Sequence, residues 1–259
     1  MKQFKSFIIS NELIAESFYR LTFTWPQATS QPLPGQFLTI RIADSSVPLL
    51  RRPFAFSGCD SKKNTASIVY QKRGVATDIL SGRSSNETLD IIGPLGTVFK
   101  FDDAAKHHIC IAGGMGLGPI LFWADWLHAQ NKDAYLIAGF SDAAHVPLSL
   151  ESLQHKNTLI CTDDGSNGFH GTVVDCVQSL PPSIIATAAF YACGPHGMLK
   201  ACHTFTQEKS RTCQVSMEQI MACGVGACMG CVIKVHREPG FARVCREGAV
   251  FDSREIIWS

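Results

Sequence analysis

Four cysteines near the C-terminus constrain this chain more than any other feature. Three follow the spacing C-x4-C-x2-C within residues 223–231, and the fourth comes after thirteen further residues. Thiolates at this spacing on a tight loop can wrap one side of a small inorganic cluster, while a returning strand brings the last ligand. Glycines between the cysteines accept left-handed backbone and let amides approach the sulfurs. The pattern predicts a plant-type [2Fe–2S] cluster held by Cys223, Cys228, Cys231 and Cys245.

Zinc and disulfides are the alternatives for these cysteines. A four-thiolate zinc site usually has two C-x2-C pairs, whereas this segment has one such pair and two single cysteines. Disulfides need an oxidising compartment, and eleven cysteines, an odd number spread along the chain, favour a reducing cytosol. The polar residues Asn11 and Glu12 come too early for a signal peptide. We therefore expect a cytoplasmic protein.

The composition indicates an ordered and nearly neutral globular protein. A length of 259 residues predicts about two domains, and 46% apolar with 17% charged residues exclude a disordered chain. The formal net charge of +1 gives no sign of a nucleic-acid partner or of an anionic membrane surface. Residues 109–124, a long uncharged run, are too few and too rich in glycine to span a bilayer.

Residues 1–100 have the pattern of an antiparallel β-barrel. Residues 17–25, 36–42, 66–70 and 88–92 are short strand-like segments separated by turn residues, with few helical signals between them. Within this part, Arg51 and Arg52 precede Pro53, and paired guanidinium groups can bind a pyrophosphate. A solvated surface pair is the alternative. Tyr70 can lie on an aromatic ring or serve only as a strand residue.

Residues 101–210 alternate strands and helices, which predicts a doubly wound parallel sheet. Strands are expected at residues 108–112, 134–140, 158–162 and 188–192, and helices after residue 119 and at 148–154, 173–179 and 196–206. The glycine-rich loop between the first strand and helix is expected to place amides against a dinucleotide pyrophosphate, with the proline at the first helical position. The loop residues concerned are Gly113, Gly114, Gly116, Gly118 and Pro119.

That loop departs from the spacing G-x-G-x-x-G, so a tight turn without a ligand is the alternative. Cys193 and Gly194 follow the last predicted strand, at the carboxyl edge where such sheets bind ligands. Cys193 can touch a nicotinamide ring or be only a small apolar residue.

Together these motifs resemble the ferredoxin reductase superfamily, in which a flavin-binding barrel precedes a nicotinamide-binding α/β domain. The resemblance is carried by the Arg52-Pro53 strand, the loop at residues 113–119 and the segment at residues 191–195. Residues 216–231 and 244–251 more closely resemble the electron-transfer subunits of class 1B dihydroorotate dehydrogenases, and the similarity extends over essentially the whole chain.

The resemblance implies three domains: an FAD-binding barrel at 1–100, an NAD-binding domain at 101–210 and a [2Fe–2S] domain at 211–259. It implies that NAD lies on the glycine-loop face and that the partner is a separate FMN-containing catalytic subunit, two copies of each forming a heterotetramer. Dihydroorotate would be oxidised on that partner, so no catalytic residue is expected in this chain. The FAD contacts that it implies are Arg52, Pro53, Phe54, Ala55, Val69, Tyr70, Gln71, Ala76 and Thr77.

Three alanines depart from the family pattern. Ala55 replaces a usual serine near the flavin, Ala76 a usual glycine before Thr77, and Ala249 a usual proline. Two rival functions remain open. One is the flavin and iron–sulfur subunit of a ferredoxin-dependent NADP reductase or a sulfide dehydrogenase, and the other is a non-enzymatic iron–sulfur sensor. The preference for NADH over NADPH rests on the resemblance alone.

Overall fold

The computed structural model describes residues 1–147 and 157–258. Its N-terminal part is a closed barrel of six antiparallel strands in the order β1-β2-β5-β4-β3-β6. The antiparallel barrel expected from the sequence is therefore confirmed. Its strands are β1 (Lys2–Ala15), β2 (Phe18–Thr24), β3 (Phe37–Arg41), β4 (Arg52–Asp60), β5 (Thr65–Gln71) and β6 (Thr88–Leu95), with helix α1 (Val75–Ser81) between the last two.

Alternating side chains separate the inside of the barrel from its outside. On β3, Leu38 and Ile40 are completely buried in the barrel core. Phe37, the first residue of β3, packs instead into the apolar core of the C-terminal half. The first strand was not predicted because its apolar residues lie on both faces: Ile8 is buried, whereas Phe7 and Ile9 are exposed. A strand of that kind does not show period-two alternation.

A seven-stranded sheet follows the barrel. Its neighbours are parallel except at one edge, where the last pair is antiparallel. In chain order, the first six strands of this sheet are β7 (His107–Gly113), β8 (Ala134–Phe140), β9 (Thr158–Thr162), β10 (Phe169–His170), β11 (Ala188–Cys193) and β12 (Cys213–Ser216). The helices that accompany them are α2 (Leu117–Ala129), α3 (Val173–Gln178), α4 (Pro182–Ile185) and α5 (His196–Glu208).

The predicted parallel sheet and its four strands are thereby confirmed, as are the helices at 173–179 and 196–206. The helix expected at residues 148–154 lies outside the described residues. One detail was wrong: α2 begins at Leu117, so Pro119 is its third residue and not its first. Proline is tolerated there because the first four amides of a helix have no intrahelical acceptor. In the described parts of the chain, no helix combines the length and apolarity that crossing a membrane would require.

The C-terminal segment completes the same sheet. After β12 the chain forms a small hairpin, β13 (Val232–Lys234) and β14 (Phe241–Arg243), and then returns as β15 (Val250–Asp252) beside β12. The sheet thus extends beyond residue 210, where the sequence suggested a domain boundary. That boundary stays a prediction. The strand order is β10-β9-β8-β7-β11-β12-β15.

The barrel and the C-terminal segment are joined by hydrogen bonds at Thr97. Its N–H donates to the Gly248 carbonyl at 2.6 Å, and its hydroxyl donates to the Val250 carbonyl at 3.0 Å. The buried ring of Phe37 adds apolar contact at the same place. Because this junction combines backbone hydrogen bonds with apolar packing, it holds the segment that follows Cys245 against the barrel.

Arg51, half of the arginine pair, finds its anion within the protein. Its guanidinium donates to the Asp90 carboxylate at 2.7 Å and to the Asp90 carbonyl at 2.9 Å, which links the start of β4 to β6. Burial alone would raise the pKa of Asp90, but hydrogen bonds from Arg51 and Gln3 outweigh it and lower that pKa. A carboxylate whose pKa is lowered on folding stabilises the fold above the pKa of the unfolded chain, about 3.9.

Asp90→Asn is expected to lower the free energy of unfolding by about 1–2 kcal/mol at pH 7, because it leaves the half-buried Arg51 without its charge partner. The difference from the parent protein should begin to narrow below about pH 3.9, where the unfolded chain takes up the proton, and should close as the pH falls through the lowered pKa of the folded carboxylate. Urea unfolding between pH 7 and pH 3.5 measures the loss of stability at neutral pH and the narrowing of this difference in acid. Asp44→Asn is the control, since Asp44 is 90% exposed in its pair with Arg41 and should change stability by less than about 0.5 kcal/mol. Equal effects of the two substitutions at pH 7 would contradict the assignment.

Candidate cofactor sites

The four predicted cysteine ligands lie together between β12 and β15. The Cys228 side chain is close enough to Cys223 to help lower the pKa of that thiol, and Cys231 is close enough to Cys245 to help raise the pKa of that one, so the four cysteines form two neighbouring pairs. Over residues 1–147 and 157–258, no three His, Cys, Asp or Glu side chains converge as ligands of one metal ion. An arrangement in two pairs fits a two-iron cluster, in which four thiolates serve two irons.

Backbone amides of the loop are directed at the cysteine sulfurs. The loop can turn in this way because Gly224 and Gly226 have φ values of 69° and 83°, in the left-handed region that favours glycine. Amide donors of this kind stabilise thiolate sulfur and tune an iron–sulfur centre. Three of these hydrogen bonds, with donor–acceptor distances of 3.3–3.4 Å, run from Ala227 to Cys223, from Gly230 to Cys228 and from Cys245 to Cys231.

The Cys223 thiol is prepared for deprotonation. Burial would raise its pKa, but hydrogen bonds from the backbone at Val225, Cys228 and Ala227 and from the Cys228 side chain prevail and lower it to about 6. The thiolate is the form of cysteine that binds a metal. On the buried side of the site, burial and the neighbouring Cys231 raise the pKa of Cys245 to about 12. The residues present therefore fit a [2Fe–2S] cluster by donor type, spacing and amide support.

An ion pair that the sequence analysis missed holds the loop. Arg243 donates to both oxygens of Glu247, at 3.0 and 2.5 Å, and to the Gly226 carbonyl at 2.6 Å. It thereby fastens the loop of the first three cysteines to the turn that carries the fourth. The hydrogen bonds with Arg243 lower the pKa of Glu247 to about 2 although burial opposes this. Glu247 follows Arg243 by four residues, but no local pattern in the sequence joins the pair to Gly226.

The cluster loop lies at the surface on one side only. Cys228 is exposed, while Cys231 and Cys245 are buried in the core shared with the sheet. Two large apolar side chains close to the loop cysteines are exposed to solvent, Ile220 at 86% and Met229 at 42%. Exposed apolar groups next to a redox site are typical of a surface that meets another protein.

A pocket lies where the barrel, the sheet and the cysteine-bearing segment meet. Of the nine predicted flavin contacts, six line it: Pro53, Phe54, Ala55, Tyr70, Gln71 and Thr77. Four further wall residues were not predicted from the sequence: Arg73, Met115, Met217 and Met221. Met221 comes two residues before the first cysteine, so one wall of the pocket belongs to the cluster segment.

The other three predicted flavin contacts lie away from this pocket. The side chain of Val69 packs against α2, where a Cβ on Gly118 would come within 3.4 Å of it. Ala76 is buried in the barrel core, so its methyl group replaces a glycine hydrogen inside the protein. Arg52 donates to the Leu50 carbonyl at 2.7 Å on the barrel surface. Arg52, Val69 and Ala76 remain predictions as flavin contacts.

The tyrosine of the pocket is held from both ends. Tyr70 is completely buried, its ring stacks on Tyr19 with centroids 5.4 Å apart, and its hydroxyl donates to Asn11 at 2.9 Å. Burial raises its pKa, so it stays a neutral donor. A rigid aromatic edge with apolar and polar neighbours suits a planar heteroaromatic ligand. This pocket therefore fits the flavin that the sequence predicted.

Cys193 and Glu218 form the sheet side of the pocket. Cys193 is buried at the end of β11, and burial raises the pKa of its thiol, with Glu218 adding to the shift. Glu218 can be reached from solvent through the pocket but is surrounded by protein atoms, which raises its pKa although Arg73 opposes this. No motif in the sequence indicated a role for Glu218.

A second cavity, of about 420 Å³, opens at the carboxyl ends of β7, β8 and β9. Gly113 and Gly114 line it on one side, and Asp163 lies on another. Such a crevice is where open α/β sheets bind nucleotides. A smaller space bordered by Gly114, Arg73 and Glu218 joins this cavity to the flavin pocket. A dinucleotide in the second cavity can thus reach the first.

The structure divides the predicted glycine loop by role. Gly113 and Gly114 face the cavities, and a Cβ on Gly114 would meet nothing within 4 Å. A Cβ on Gly116 would stand 1.9 Å from the Cys193 carbonyl oxygen, so this glycine allows the loop to pass beside β11. Gly118 meets the barrel, and Pro119 is buried in α2. Packing alone accounts for Gly118 and Pro119, and their nucleotide contacts stay predictions.

Comparisons with known proteins agree with these sites. The family described as the iron–sulfur cluster binding domain of dihydroorotate dehydrogenase B matches residues 218–257. The electron transfer subunit of dihydroorotate dehydrogenase B (NAD(+)) from Caldanaerobacter subterraneus subsp. tengcongensis is 36% identical over 256 residues, which are 98% of each chain. The subunit of the same name from Geobacillus thermodenitrificans is 34% identical, over 96% of each chain.

Solved structures share the fold at lower identity. The NADH-dependent reduced ferredoxin-NADP oxidoreductase, 23% identical, superimposes with a TM-score of 0.84 over 98% of this chain and 90% of the other. Phthalate dioxygenase reductase, 17% identical, gives 0.66 over 91% and 87%. These two confirm the ferredoxin reductase-like fold. The identity and coverage of the bacterial relatives go further, and the chain belongs to the family of electron transfer subunits of NAD(+)-dependent dihydroorotate dehydrogenase B.

Proposed function

We propose that this chain carries electrons between NAD(H) and a separate FMN-containing subunit that oxidises dihydroorotate, using bound FAD and a [2Fe–2S] cluster. The observation that carries the proposal is the composition of the flavin pocket. Its wall combines Pro53 from the barrel, Cys193 from the sheet and Met221 from the segment of the cluster ligands. A ligand bound there touches all three parts of the protein at once.

FAD, when bound, exchanges two electrons with nicotinamide and single electrons with the cluster, and this is the chemistry that the two other carriers need from it. The protein supplies position and environment. Tyr70 supplies a fixed, uncharged ring whose hydroxyl is held by Asn11, and Gln71 and Thr77 are polar residues at the pocket wall. Ser216 and Cys193 line the opposite side with small groups, which lets a second ring approach from the nucleotide cavity.

The proposed contacts follow from this arrangement. FAD would be held by the six predicted residues that line the pocket, and NAD(H) by Gly113, Gly114 and Gly194 along the connected cavities. The cluster would be held by Cys223, Cys228, Cys231 and Cys245. In the direction of dihydroorotate oxidation, electrons would pass from the partner's FMN to the cluster, then to FAD and finally to NAD(+).

The proposed docking face of the catalytic subunit is the exposed side of the cluster loop. Cys228, Ile220 and Met229 are all open to solvent there, so a partner can bring its own redox group close to the cluster. The proposed assembly has two copies of each subunit. A cytoplasmic location is supported by the cysteines, since all eleven lie in the described residues as free thiols.

Co-purification tests the proposal. Tagged full-length chain, isolated anaerobically from its own cells, is expected to retain a flavoprotein whose bound flavin is FMN, in equal number. NADH should bleach the visible spectrum of the isolated chain, whereas dihydroorotate should bleach only the complex. An isolated chain that is bleached by dihydroorotate would contradict the proposed division of labour.

Cys228→Ala is expected to remove most of the cluster, because three thiolates leave one iron with a single protein ligand. Iron and acid-labile sulfide should fall from about two of each per chain to a small fraction, while bound FAD is retained. Cys59→Ala is the matched control, since Cys59 lies on the barrel with its thiol on Gln31, and it should keep the full cluster. Two irons per chain in the Cys228 variant would refute the ligand assignment.

The nucleotide cavity also offers a reason for selecting NADH. Asp163 lines this cavity but not the connecting space that borders the flavin pocket, so we place the adenosine of the dinucleotide beside it. The nearby carboxylates of Asp142, Asp164 and Asp175 accept local hydrogen bonds from their own loops. A carboxylate can accept from a ribose 2′-hydroxyl but repels a 2′-phosphate.

Asp163→Asn is expected to shift the ratio of kcat/KM for NADH over NADPH about tenfold toward NADPH, equivalent to ~1.4 kcal/mol. Steady-state reduction of ferricyanide by the two nucleotides measures it on the isolated chain. Asp164→Asn is the control, because the Asp164 carboxylate is held by Ser166 at 2.6 Å, and it should leave the ratio within twofold. An unchanged ratio in the Asp163 variant would remove this residue from the specificity site.

A further inference from the structure

Thr39 carries a buried hydroxyl that has no hydrogen-bond partner. Its side chain is 2% exposed, and its Oγ1 is one of two buried side-chain polar atoms without a partner in the described part of the chain. The other, Trp123 Nε1, lies in the aromatic core between α2 and the sheet. A buried hydroxyl that gives up water without gaining a partner costs stability, and such a group calls for an explanation.

The position of Thr39 supplies one. Its neighbours on β3, Leu38 and Ile40, fill the barrel, so Thr39 is on the outer face. A Cβ on Gly224 would lie 2.8 Å from the Thr39 methyl carbon. Gly224 is the residue after the ligand Cys223, so the Thr39 side chain lies directly beneath the cluster loop.

Thr39 is also a neighbour of two residues that line the flavin pocket. It is paired with Pro53 across β3 and β4, and the preceding outward-facing residue, Phe37, lines the pocket as Pro53 does. Thr39 thus lies between residues of the two proposed cofactor sites. The methyl and hydroxyl groups share one carbon, and a rotation of χ1 by one staggered step brings the hydroxyl to the present position of the methyl, while the methyl moves to that of the β-hydrogen. The hydroxyl can therefore turn toward a sulfur acceptor at the loop.

We propose that the Thr39 hydroxyl donates a hydrogen bond to sulfur on the Cys223 side of the cluster, and that it thereby raises the cluster's reduction potential. Reduction by one electron adds a negative charge to the cluster, so a donor to sulfur stabilises the reduced form more than the oxidised form. In this proposal, Thr39 is a barrel residue that helps to set the reduction potential of the adjacent cluster. The inference rests on the proposed cluster site.

The test compares Thr39→Val, which keeps the shape and removes the hydroxyl, with Thr39→Ser, which keeps the hydroxyl. Anaerobic redox titration followed by electron paramagnetic resonance gives the cluster potential, and visible absorbance gives the FAD potential. In the valine variant, the equilibrium constant for one-electron reduction of the cluster is expected to fall about tenfold. The cluster's reduction potential then becomes more negative by ~59 mV. The serine variant should stay near the parent value, with the FAD potential unchanged in both.

A cluster potential in Thr39→Val equal to that of the parent, at equal iron and sulfide content, would overturn the inference. So would a shift confined to FAD, which would assign the hydroxyl to the flavin. Thr39→Ala, which adds no bulk, carries the same expectation and replaces the valine variant if that protein does not assemble. Parent protein without acid-labile sulfide would instead refute the proposed cluster site itself, so the two failures are distinguishable.

Discussion

The hydrogen bonds of Thr97 to the backbone at Gly248 and Val250 join the barrel to the segment that carries the cluster ligands. Electron transfer between fixed carriers depends on constant separation, and this junction provides it. Phe37 strengthens it from the barrel side, since its ring lies in one apolar core with Cys231 and Cys245. The flavin pocket is formed by the same junction, because its wall exists only where barrel, sheet and cysteine loop touch.

The environment of each cysteine explains how a reactive metal site is kept stable. Two ligands are buried and two are near the surface, so the loop shields one side of the site and presents the other. Amide donors and the Arg243–Glu247 pair hold this loop in shape. Thr39, on the outer face of the barrel, lies against Gly224 in the same loop. Protein groups from three parts of the chain therefore converge on a segment that is local in sequence.

Features that depend on residues close together in the sequence were predictable. The cysteine spacing was sufficient to name a ligand set, since three of the four cysteines lie on one loop, and the short strand-like segments separated by turn residues were sufficient to predict a barrel. The long-range pairings were not predictable. Arg51 meets Asp90, 39 residues away, and nothing near Arg51 distinguishes a carboxylate from a phosphate as its anion. Gly116 and Gly118 are also required by packing, because the loop passes close to β11 at one and to the barrel at the other, and the local sequence does not show these approaches.

The central claim is that one polypeptide holds both a two-electron and a one-electron carrier in contact. Anaerobic titration of the purified full chain with dithionite, followed by visible absorbance and electron paramagnetic resonance, tests it most directly. The account predicts three electron equivalents per chain, two entering FAD and one the cluster, and it predicts that NADH alone also produces the signal of the reduced cluster. Saturation at two equivalents without a cluster signal would contradict it.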